Sequence, residues 1–296
     1  MDLKTYLQEK KILIDKALEE LLPPEDEFPT QLHKAMRYCL MASGKRIRPI
    51  LALAAAEAVG GNPDTIIHEA SALELIHTFT LIHDDLPAMD DDDYRRGILT
   101  THKVFGEAMA ILAGDALLTE AFNILSLGFK KGTHQATHIV EIIKVVADAS
   151  GSKGIVGGQV ADLEAEGKVI EEKALEYIHN HKTGSLITAS VILGGTLAGG
   201  SNKEIMHLRQ YGESIGLAFQ IKDDILDITG TATEIGKKPG SDENKKKATY
   251  PSIVGLELAE KRQRELYKRS LEALKSFDKK ADHLREIALY IIERTS

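Results

Sequence analysis

The chain has 296 residues, a formal net charge of -8 and 43% hydrophobic residues. This composition supports a sizeable core and excludes a disordered chain, while the acidity disfavours broad binding to nucleic acid. The single cysteine, Cys39, excludes an internal disulfide and a zinc site built from cysteines. Six aspartates between residues 84 and 93 carry most of the net charge and need an explanation.

The first part of the chain reads as four helices that proline and glycine separate. Apolar residues recur at helical spacing from Leu3 to Leu21, and two prolines follow. A second helix is predicted to end before Gly44, and Pro49 suits the first turn of a third. A fourth helix is expected to begin near Pro63 and to run to the aspartates.

The remaining chain is also predicted to be helical, because it has no proline between residues 88 and 238 and keeps helical apolar spacing. Alternating strand patterns are absent. We therefore expect one all-α domain over residues 1–296. The polar loop from Thr229 to Thr249 suggests a mobile lid, although a solvated connector is the commoner interpretation of such a loop. The later helices are predicted at about 103–127, 133–150, 153–166, 171–181, 184–198, 203–229, 250–276 and 279–294.

The compartment is predicted from the absence of targeting patterns. The N-terminal residues carry both signs of charge and no uninterrupted apolar core, unlike a secretory signal. The longest uncharged stretch, Thr183 to Asn202, is rich in small residues and fits a packed helix better than a membrane span. We expect a cytoplasmic enzyme with no membrane span.

Two segments of the chain each carry a pair of adjacent aspartates followed by a third. These aspartates are Asp84, Asp85 and Asp90 in the first segment, and Asp223, Asp224 and Asp227 in the second. Asp223 and Asp227 are four residues apart and share a helix face. Asp90 lies about 240° around a straight helix from Asp84, so these two meet at one ion only if the helix breaks. Pro87 is well placed to cause that break.

The two aspartate segments predict two walls of one metal site, because each follows an apolar helix. Hard oxygen ligands with no cysteine pair nearby favour Mg²⁺ over zinc, and the spacing is not that of an EF-hand. Mg²⁺ uses few protein carboxylates and completes its shell with water and substrate phosphate. Solvated helix ends are the alternative interpretation of such aspartate runs.

Basic residues near these segments are candidates for binding anions. Lys45 and Arg48 precede a helix N-terminus, where phosphate binds favourably, although a basic surface turn is the alternative. Arg95 and Arg96 follow the first aspartates and also neutralise them. His77 lies in the helix that leads to the aspartates, where a packing role is the commoner one.

Six segments in order match one protein family over nearly the full length of the chain. They are GKRIRP at 44–49, ELIHTFTLIHDDLPAMDDDDYRRG at 74–97, GGQVADL at 157–163, HKTGSL at 181–186, FQIKDDILD at 219–227 and GKKPGSD at 236–242. Together they resemble the trans-isoprenyl diphosphate synthases, and most closely the bacterial farnesyl diphosphate synthases. The resemblance implies a single large all-α helical bundle around a deep central cavity, and a homodimer.

The resemblance also implies a reaction, the head-to-tail condensation of isopentenyl diphosphate with an allylic diphosphate. The six aspartates would hold three Mg²⁺ ions on the allylic diphosphate. Isopentenyl diphosphate would bind to Lys45, Arg48, His77 and Arg96. The allylic substrate would face Arg95, Lys182, Thr183, Gln220 and Lys237, with Lys247 a candidate for closing over it. Lys238 beside Lys237 leaves open which of the two faces the site.

The chemistry is consistent with these residue types. Departure of diphosphate leaves an allylic cation, which the Thr183 hydroxyl and the carbonyls of Lys182 and Gln220 stabilise as dipoles. The released diphosphate then serves as the base for the final proton, which explains the absence of a catalytic dyad. Together with Arg95, these three residues are the predicted catalytic set.

Product length is predicted from the helix that leads to Asp84. Phe79 lies roughly 7.5 Å down that helix from Asp84, and Thr80 is nearer to the Asp84 face. Phe79 and the two extra residues between Asp85 and Asp90 resemble the bacterial farnesyl pattern. We therefore expect farnesyl diphosphate, formed from dimethylallyl diphosphate through geranyl diphosphate.

Other functions remain open from the sequence. A geranylgeranyl diphosphate synthase would use the same chemistry. A terpene cyclase has no need for a second diphosphate site, and a noncatalytic subunit of a heteromeric synthase should have lost one aspartate motif. A metal-binding helical protein without catalysis would leave the paired basic and acidic segments unexplained.

Overall fold

A computed structural model describes residues 2–130, 132, 134–229 and 248–294, except for the side chain of residue 130. Most of the predicted lid lies outside these residues. Lys237, Lys238 and Lys247 are among its residues that are not described.

The described chain is almost entirely helical. The helices are α1 (Leu3–Leu21), α2 (Thr30–Leu40), α3 (Ile47–Ala58), α4 (Ile67–Asp84), α5 (Thr101–Phe105), α6 (Glu107–Lys130), α7 (Ala136–Ser150), α8 (Ile155–Ala165), α9 (Glu172–His179), α10 (Ser185–Leu197), α11 (Asn202–Thr229), α12 (Tyr250–Val254), α13 (Leu256–Ala273) and α14 (Asp282–Glu293). Short 3₁₀ turns cover Pro63–Ile66 and Lys279–Ala281, and a π-helical turn covers Asn180–Gly184. An antiparallel pair, β1 (Tyr94–Arg95) and β2 (Ile98–Leu99), places Tyr94 opposite Leu99.

Two predicted helices are broken by glycines, and as single helices those predictions were wrong. The segment predicted at 103–127 divides at Gly106, which has a φ of 84°. The segment predicted at 250–276 divides at Gly255, which has a φ of 85°. Glycine has no Cβ and reaches this left-handed region without steric cost, so the helix path ends and restarts there.

The residues fall into two compact units, which are Met1–Leu53 with Asn62–Ile143, and Ala54–Gly61 with Lys144–Ser296. In the first unit α4 packs against α6, α1 and α2. Leu73, Leu75 and Ile76 of α4 are completely buried there. The apolar sequence before the first aspartates therefore forms the core that supports them. The prediction of one domain over residues 1–296 stays a prediction.

The second unit is built around α11, which packs against α10 and α13. Tyr211 of α11 is completely buried, and its hydroxyl donates to the Leu284 carbonyl over 2.6 Å. Close to the second aspartate segment, Ile221 and Ile225 belong to an apolar cluster that also contains Leu266 of α13. Packing on this cluster fixes the helix face on which the aspartates lie.

Helix α6 is unusually apolar for its exposure. Within the described chain, Glu107–Phe129 is long and apolar enough to cross a membrane by length and composition. Ala113 and Leu117 are buried, whereas Ile111 and Leu112 are exposed. A core helix with one apolar outer face has these properties, and the expectation of no membrane span stays a prediction.

Candidate active site

The first aspartate segment lies where α4 ends. The helix stops at Asp84, and Asp85 forms its C-terminal cap. The chain then turns back so that the Asp90 N–H donates to the Asp84 carbonyl over 2.8 Å. The predicted break between these two aspartates is confirmed, with Pro87 inside it. The turn brings the backbones of Asp84 and Asp90 together, which a continuous helix would prevent.

Asp85 is almost completely buried and is paired with Arg95 of β1. The guanidinium donates from Nε and Nη2 to the same carboxylate oxygen, Oδ1, over 2.8 and 2.5 Å. Nη2 of Arg95 also donates to Asp92 over 2.9 Å. Burial raises the pKa of Asp85, and the hydrogen bonds from Arg95 oppose that effect. Arg95 is therefore the counter-charge of the first segment.

The basic segment before α3 is tied down by Arg46, which the sequence prediction missed. Arg46 has a φ of 53° and is buried. Its guanidinium donates to Asp15 and to Glu74, each over 2.8 Å, and to two backbone carbonyls. Lys45, which is exposed, and Arg48, which is half-buried, flank this anchor. A buried ion pair thus positions the two predicted anion-binding residues.

Glu74 also binds Arg96, so that one carboxylate serves two arginines. Arg96 Nη2 donates to Glu74 Oε1 over 3.3 Å. Its other terminal nitrogen, Nη1, is buried and has no hydrogen-bond partner among the described residues, which suits an arriving anion. Burial, and then the charges of Arg48 and Arg96, hold the pKa of His77 well below its usual value. His77 is consequently neutral at physiological pH and can donate or accept a hydrogen bond.

The two predicted chain-length residues lie on α4. Phe79 is 7% exposed and packs edge to face against His83, with ring centroids 5.0 Å apart. Thr80 is half-buried, and its hydroxyl donates to the His77 carbonyl over 2.7 Å. The hydroxyl of Thr80 is thus satisfied within its own helix, and the chain-length role of both residues stays a prediction.

The second aspartate segment lies inside α11 without a break. Asp224 and Asp227 are buried, and Asp223 is half-buried. Oδ2 of Asp224 accepts from His179 Nε2 over 2.9 Å and from the Tyr250 N–H over 2.8 Å. Its other oxygen, Oδ1, accepts from Gln220 Nε2 over 3.3 Å. Protein donors therefore contact both oxygens of Asp224.

Asp223, the first aspartate of this segment, is paired with Arg294. The guanidinium donates to Asp223 Oδ1 and also to the Phe219 carbonyl. It lies over the Phe219 ring, 4.2 Å from the centroid. Sequence reasoning missed Arg294, because nothing in the pattern links it to a residue about seventy positions earlier.

Lys182 and Thr183 lie on the π-helical turn between α9 and α10, where a gap between two helices was predicted. Lys182 Nζ is 2.7 Å from Asp162 Oδ2 of α8, and Thr183 Oγ1 donates to Gln220 Oε1 over 3.0 Å. The turn is closely packed, since a Cβ on Gly158 would lie 2.3 Å from the Lys182 nitrogen. π turns occur often at functional sites, and this one carries both predicted residues.

The aspartates fit Mg²⁺ by donor type, because all six supply hard carboxylate oxygens. Among the described residues, no three His, Cys, Asp or Glu side chains are already grouped as a complete metal site. Mg²⁺ normally binds through one or two carboxylates together with substrate phosphates, so this donor set is suitable for it.

A surface cavity of about 590 Å³ lies in the second unit, and its lining includes His181 and Gly184, which flank Lys182 and Thr183 in the chain. Its lining includes Lys144, Glu176, Arg209, Arg262 and Arg269, and none of the predicted site residues. The chemistry of the aspartates, rather than the size of this cavity, therefore identifies the candidate site.

Comparisons with known proteins agree with the fold and the chemistry. The chain matches the family described as polyprenyl synthetase over residues 29–289. It is 45% identical to a dimethylallyltranstransferase of Fischerella ambigua over 295 residues, 99% of this chain and 84% of the relative. It is also 45% identical to a farnesyl diphosphate synthase of Micrococcus luteus over 277 residues, 93% of this chain and 94% of the relative. The structure of geranylgeranyl pyrophosphate synthetase from Pyrococcus horikoshii is similar, with a TM-score of 0.90, 32% identity and coverage of 99% and 98%. The all-α prediction is confirmed.

Proposed function

The chain belongs to the polyprenyl synthetase family of prenyltransferases, and we propose that it makes farnesyl diphosphate. It would condense isopentenyl diphosphate with dimethylallyl diphosphate and then with geranyl diphosphate. The observation that carries this proposal is the broken end of α4, where Asp84 and Asp90 meet and Arg95 pairs with Asp85. Carboxylates beside cationic side chains suit a diphosphate that arrives with a divalent metal.

Five of the six predicted aspartates are proposed as direct ligands of three Mg²⁺ ions on the allylic diphosphate. These five are Asp84, Asp85, Asp90, Asp223 and Asp227. The sixth, Asp224, already accepts hydrogen bonds at both oxygens. When bound, Mg²⁺ supplies positive charge that neutralises the departing diphosphate.

Two sets of side chains are proposed to bind the two substrates. The isopentenyl diphosphate set is Lys45, Arg48, His77 and Arg96. The allylic set is Arg95, Lys182, Thr183 and Gln220, with Lys237 and Lys247 from outside the described residues. The support for the first set is electrostatic, because Arg48 and Arg96 lie close enough to His77 to lower its pKa.

Ionisation of the allylic substrate leaves a cation that the protein must stabilise without bonding to it. The hydroxyl oxygen of Thr183 and nearby carbonyl oxygens present dipoles for this purpose. Arg95 and Lys182 hold the diphosphate while its charge develops. Water must be excluded, because it would capture the cation.

The C15 product is proposed from Phe79, whose buried ring would limit the space for a growing chain along α4. A geranylgeranyl product is the second candidate, because a solved structure of similar fold is a geranylgeranyl pyrophosphate synthetase. We expect Phe79→Ala to lengthen the main product, as separated by chromatography. The matched variant Phe129→Ala removes an exposed ring and should leave product length unchanged. Unchanged product length in Phe79→Ala would place the limit elsewhere.

A cytoplasmic homodimer is also proposed, with the outer face of α6 as its contact. Ile111 and Leu112 are exposed there at 44% and 54%. Light scattering after size exclusion should give twice the chain mass, and Leu112→Glu should give a monomer. A wild-type monomer would contradict this proposal.

The deciding experiment is incubation of the pure protein with labelled isopentenyl diphosphate, dimethylallyl diphosphate and Mg²⁺. We expect incorporation into a C15 diphosphate that chelation of the metal abolishes. A dominant C20 product would favour the second candidate. No incorporation by the pure chain would favour a noncatalytic subunit of a heteromeric synthase.

A further inference from the structure

We propose that His179 is a positioning residue for the ionisation step. It acts through Asp224, which in turn orients Gln220 and the hydroxyl of Thr183. This inference rests on the proposed function, because it concerns the residues that would face the allylic cation. It assigns a role in positioning Asp224 to His179, which lies on α9 outside both aspartate segments.

Four side chains form a continuous hydrogen-bonded chain in the second unit. His179 Nε2 lies 2.9 Å from Asp224 Oδ2, and Gln220 Nε2 lies 3.3 Å from Asp224 Oδ1. The opposite end of the Gln220 amide, Oε1, lies 3.0 Å from Thr183 Oγ1. The chain therefore begins at the end of α9, passes through α11 and ends on the π turn.

The chemistry of the partners fixes the direction of every bond in this chain. A carboxylate only accepts, so Nε2 of His179 carries the proton that faces Asp224. For the same reason the Gln220 amide turns its NH₂ group to Asp224 and its oxygen to Thr183. The Thr183 hydroxyl then donates to Gln220, and its lone pairs remain available to a cation. Each orientation follows from the presence of Asp224.

Asp224 is held at a third point by the backbone. The Tyr250 N–H donates to Asp224 Oδ2 over 2.8 Å. The Tyr250 hydroxyl lies 2.5 Å from Glu172 Oε1 and 2.9 Å from Glu176 Oε1 of α9, and its one hydrogen is available to either carboxylate. The residues His179 and Asp224 are 6% and 3% exposed. A direct Mg²⁺ contact would compete with the buried bonds from His179 and the Tyr250 N–H at Oδ2, and with the Gln220 amide at Oδ1.

Removal of the His179 donor should mainly lower the rate of the chemical step. Without it, only the Tyr250 N–H holds Asp224 Oδ2, so that the carboxylate and then the Gln220 amide can reorient, and the Thr183 dipole is aimed less accurately at the developing charge. Small errors of position in such groups are costly in the transition state and have little effect on substrate binding. Isopentenyl diphosphate is assigned to residues of the first unit, so its KM should not change.

The test compares His179→Phe with His179→Gln. Phenylalanine keeps a ring of similar size and removes the donor, whereas the Gln amide places a donor near the position of Nε2. We expect kcat to fall by about 10- to 100-fold in His179→Phe, and the kcat of His179→Gln to exceed that of His179→Phe by at least about threefold. Tyr177→Phe is the control, because it removes an exposed hydroxyl on the same helix, α9. Its kcat should stay within about threefold of wild type.

A second readout separates positioning from metal binding. Calorimetric binding of inorganic diphosphate with Mg²⁺ should be unchanged in His179→Phe and weakened in Asp223→Asn. In the double variant His179→Phe/Asp224→Asn, kcat should be no lower than in the worse single variant, because both act in one chain.

Three results would overturn the proposal. The first is an equal loss of kcat in His179→Phe and His179→Gln. The second is a rise in KM for isopentenyl diphosphate at unchanged kcat in His179→Phe, and the third is a loss of diphosphate binding in that variant. If His179→Phe fails to fold, Asp224→Asn replaces it, and weakened metal-dependent diphosphate binding would then reject the assignment. A wild-type protein that does not incorporate isopentenyl diphosphate would reject the proposed function itself, which is a distinguishable outcome.

Discussion

The two aspartate segments have similar sequences but are held in different ways. In the first, Asp85 lies at the end of α4 and is bound by a charged arginine through one oxygen, Oδ1. In the second, Asp224 lies within α11 and is bound through both oxygens by an imidazole, an amide and a backbone N–H. Another cation can replace the long Arg95 side chain at Asp85. The three donors to Asp224, in contrast, hold its carboxylate in one orientation. The first segment is thus suited to exchanging charge and the second to orienting its neighbours.

The difference between the two segments is tested most directly by neutralising Asp85 and Asp224 in separate variants. Asp85→Asn removes a negative charge from a proposed metal ligand, and we expect kcat to fall by about 10²- to 10³-fold with a raised Mg²⁺ requirement. Asp224→Asn should lower kcat by about tenfold and leave the Mg²⁺ requirement unchanged. Steady-state kinetics over a Mg²⁺ titration measures both. Equal shifts in Mg²⁺ requirement would remove the distinction between the segments.

The contribution of the buried Arg46–Glu74 ion pair to the first unit can be measured as a change in the free energy of unfolding. Glu74→Gln leaves the buried Arg46 guanidinium with one carboxylate fewer, and we expect a loss of about 3–5 kcal/mol in the free energy of unfolding. The matched change Glu19→Gln removes a carboxylate that is 59% exposed and paired with Arg37. It should cost about 0–1 kcal/mol. Urea denaturation gives both values, and similar losses would contradict the buried-pair interpretation.

The dependence of the second unit on close packing is tested at Gly158. An added Cβ would lie 2.3 Å from the nitrogen and 2.7 Å from the Cα of Lys182. These are backbone atoms that cannot move aside by a rotamer change, so Gly158→Ala should cost about 1–3 kcal/mol. That loss is expected despite the better helix propensity of alanine. The melting temperature and kcat should both decrease.

The control for that change is Val160→Ala, which alters an exposed residue on the same helix, α8. It should leave kcat near the wild-type value. A Gly158→Ala variant with full activity would show that the π turn tolerates displacement, and would weaken the contrast between the two units.

The smallest expected effect is a pH dependence from His77. Its pKa is lowered in the folded chain, so the unfolded chain takes up the proton first as pH falls below 6.5, its ordinary value. The folded state therefore loses stability below that pH, by about 1.4 kcal/mol per pH unit until His77 itself protonates. His77→Gln should reduce the drop in unfolding free energy between pH 7.5 and 5.5 in urea titrations. An unchanged drop would show that other groups cause it.

The sequence predicted the helices well where proline or sustained apolar spacing defines them. It predicted the break between Asp84 and Asp90, because Pro87 and helical geometry together require one. It missed the breaks at Gly106 and Gly255, since an isolated glycine also occurs inside helices and only the backbone angle decides. The π turn was missed because one additional residue hardly disturbs an apolar pattern.

The partners of the site residues were harder to predict than the residues themselves. Glu74 is a charge in an otherwise apolar stretch of α4, which is a signal of buried pairing that could have been used. The sequence alone could not distinguish its partner Arg46 from Lys45 and Arg48 in the same segment. His179 and Arg294 carry no local signal, because their partners lie on distant parts of the chain and only the fold brings them together.

The π turn at Asn180–Gly184 determines the direction in which the side chains around it project from the helix. Such a turn is an α-helix that contains one surplus residue, and each residue turns a helix by about 100°. Deletion of a single residue there would restore regular winding and rotate Lys182 away from Asp162 without changing any functional side chain. The position of Lys182 beside Asp162 therefore depends on the number of residues in this turn as well as on their side chains.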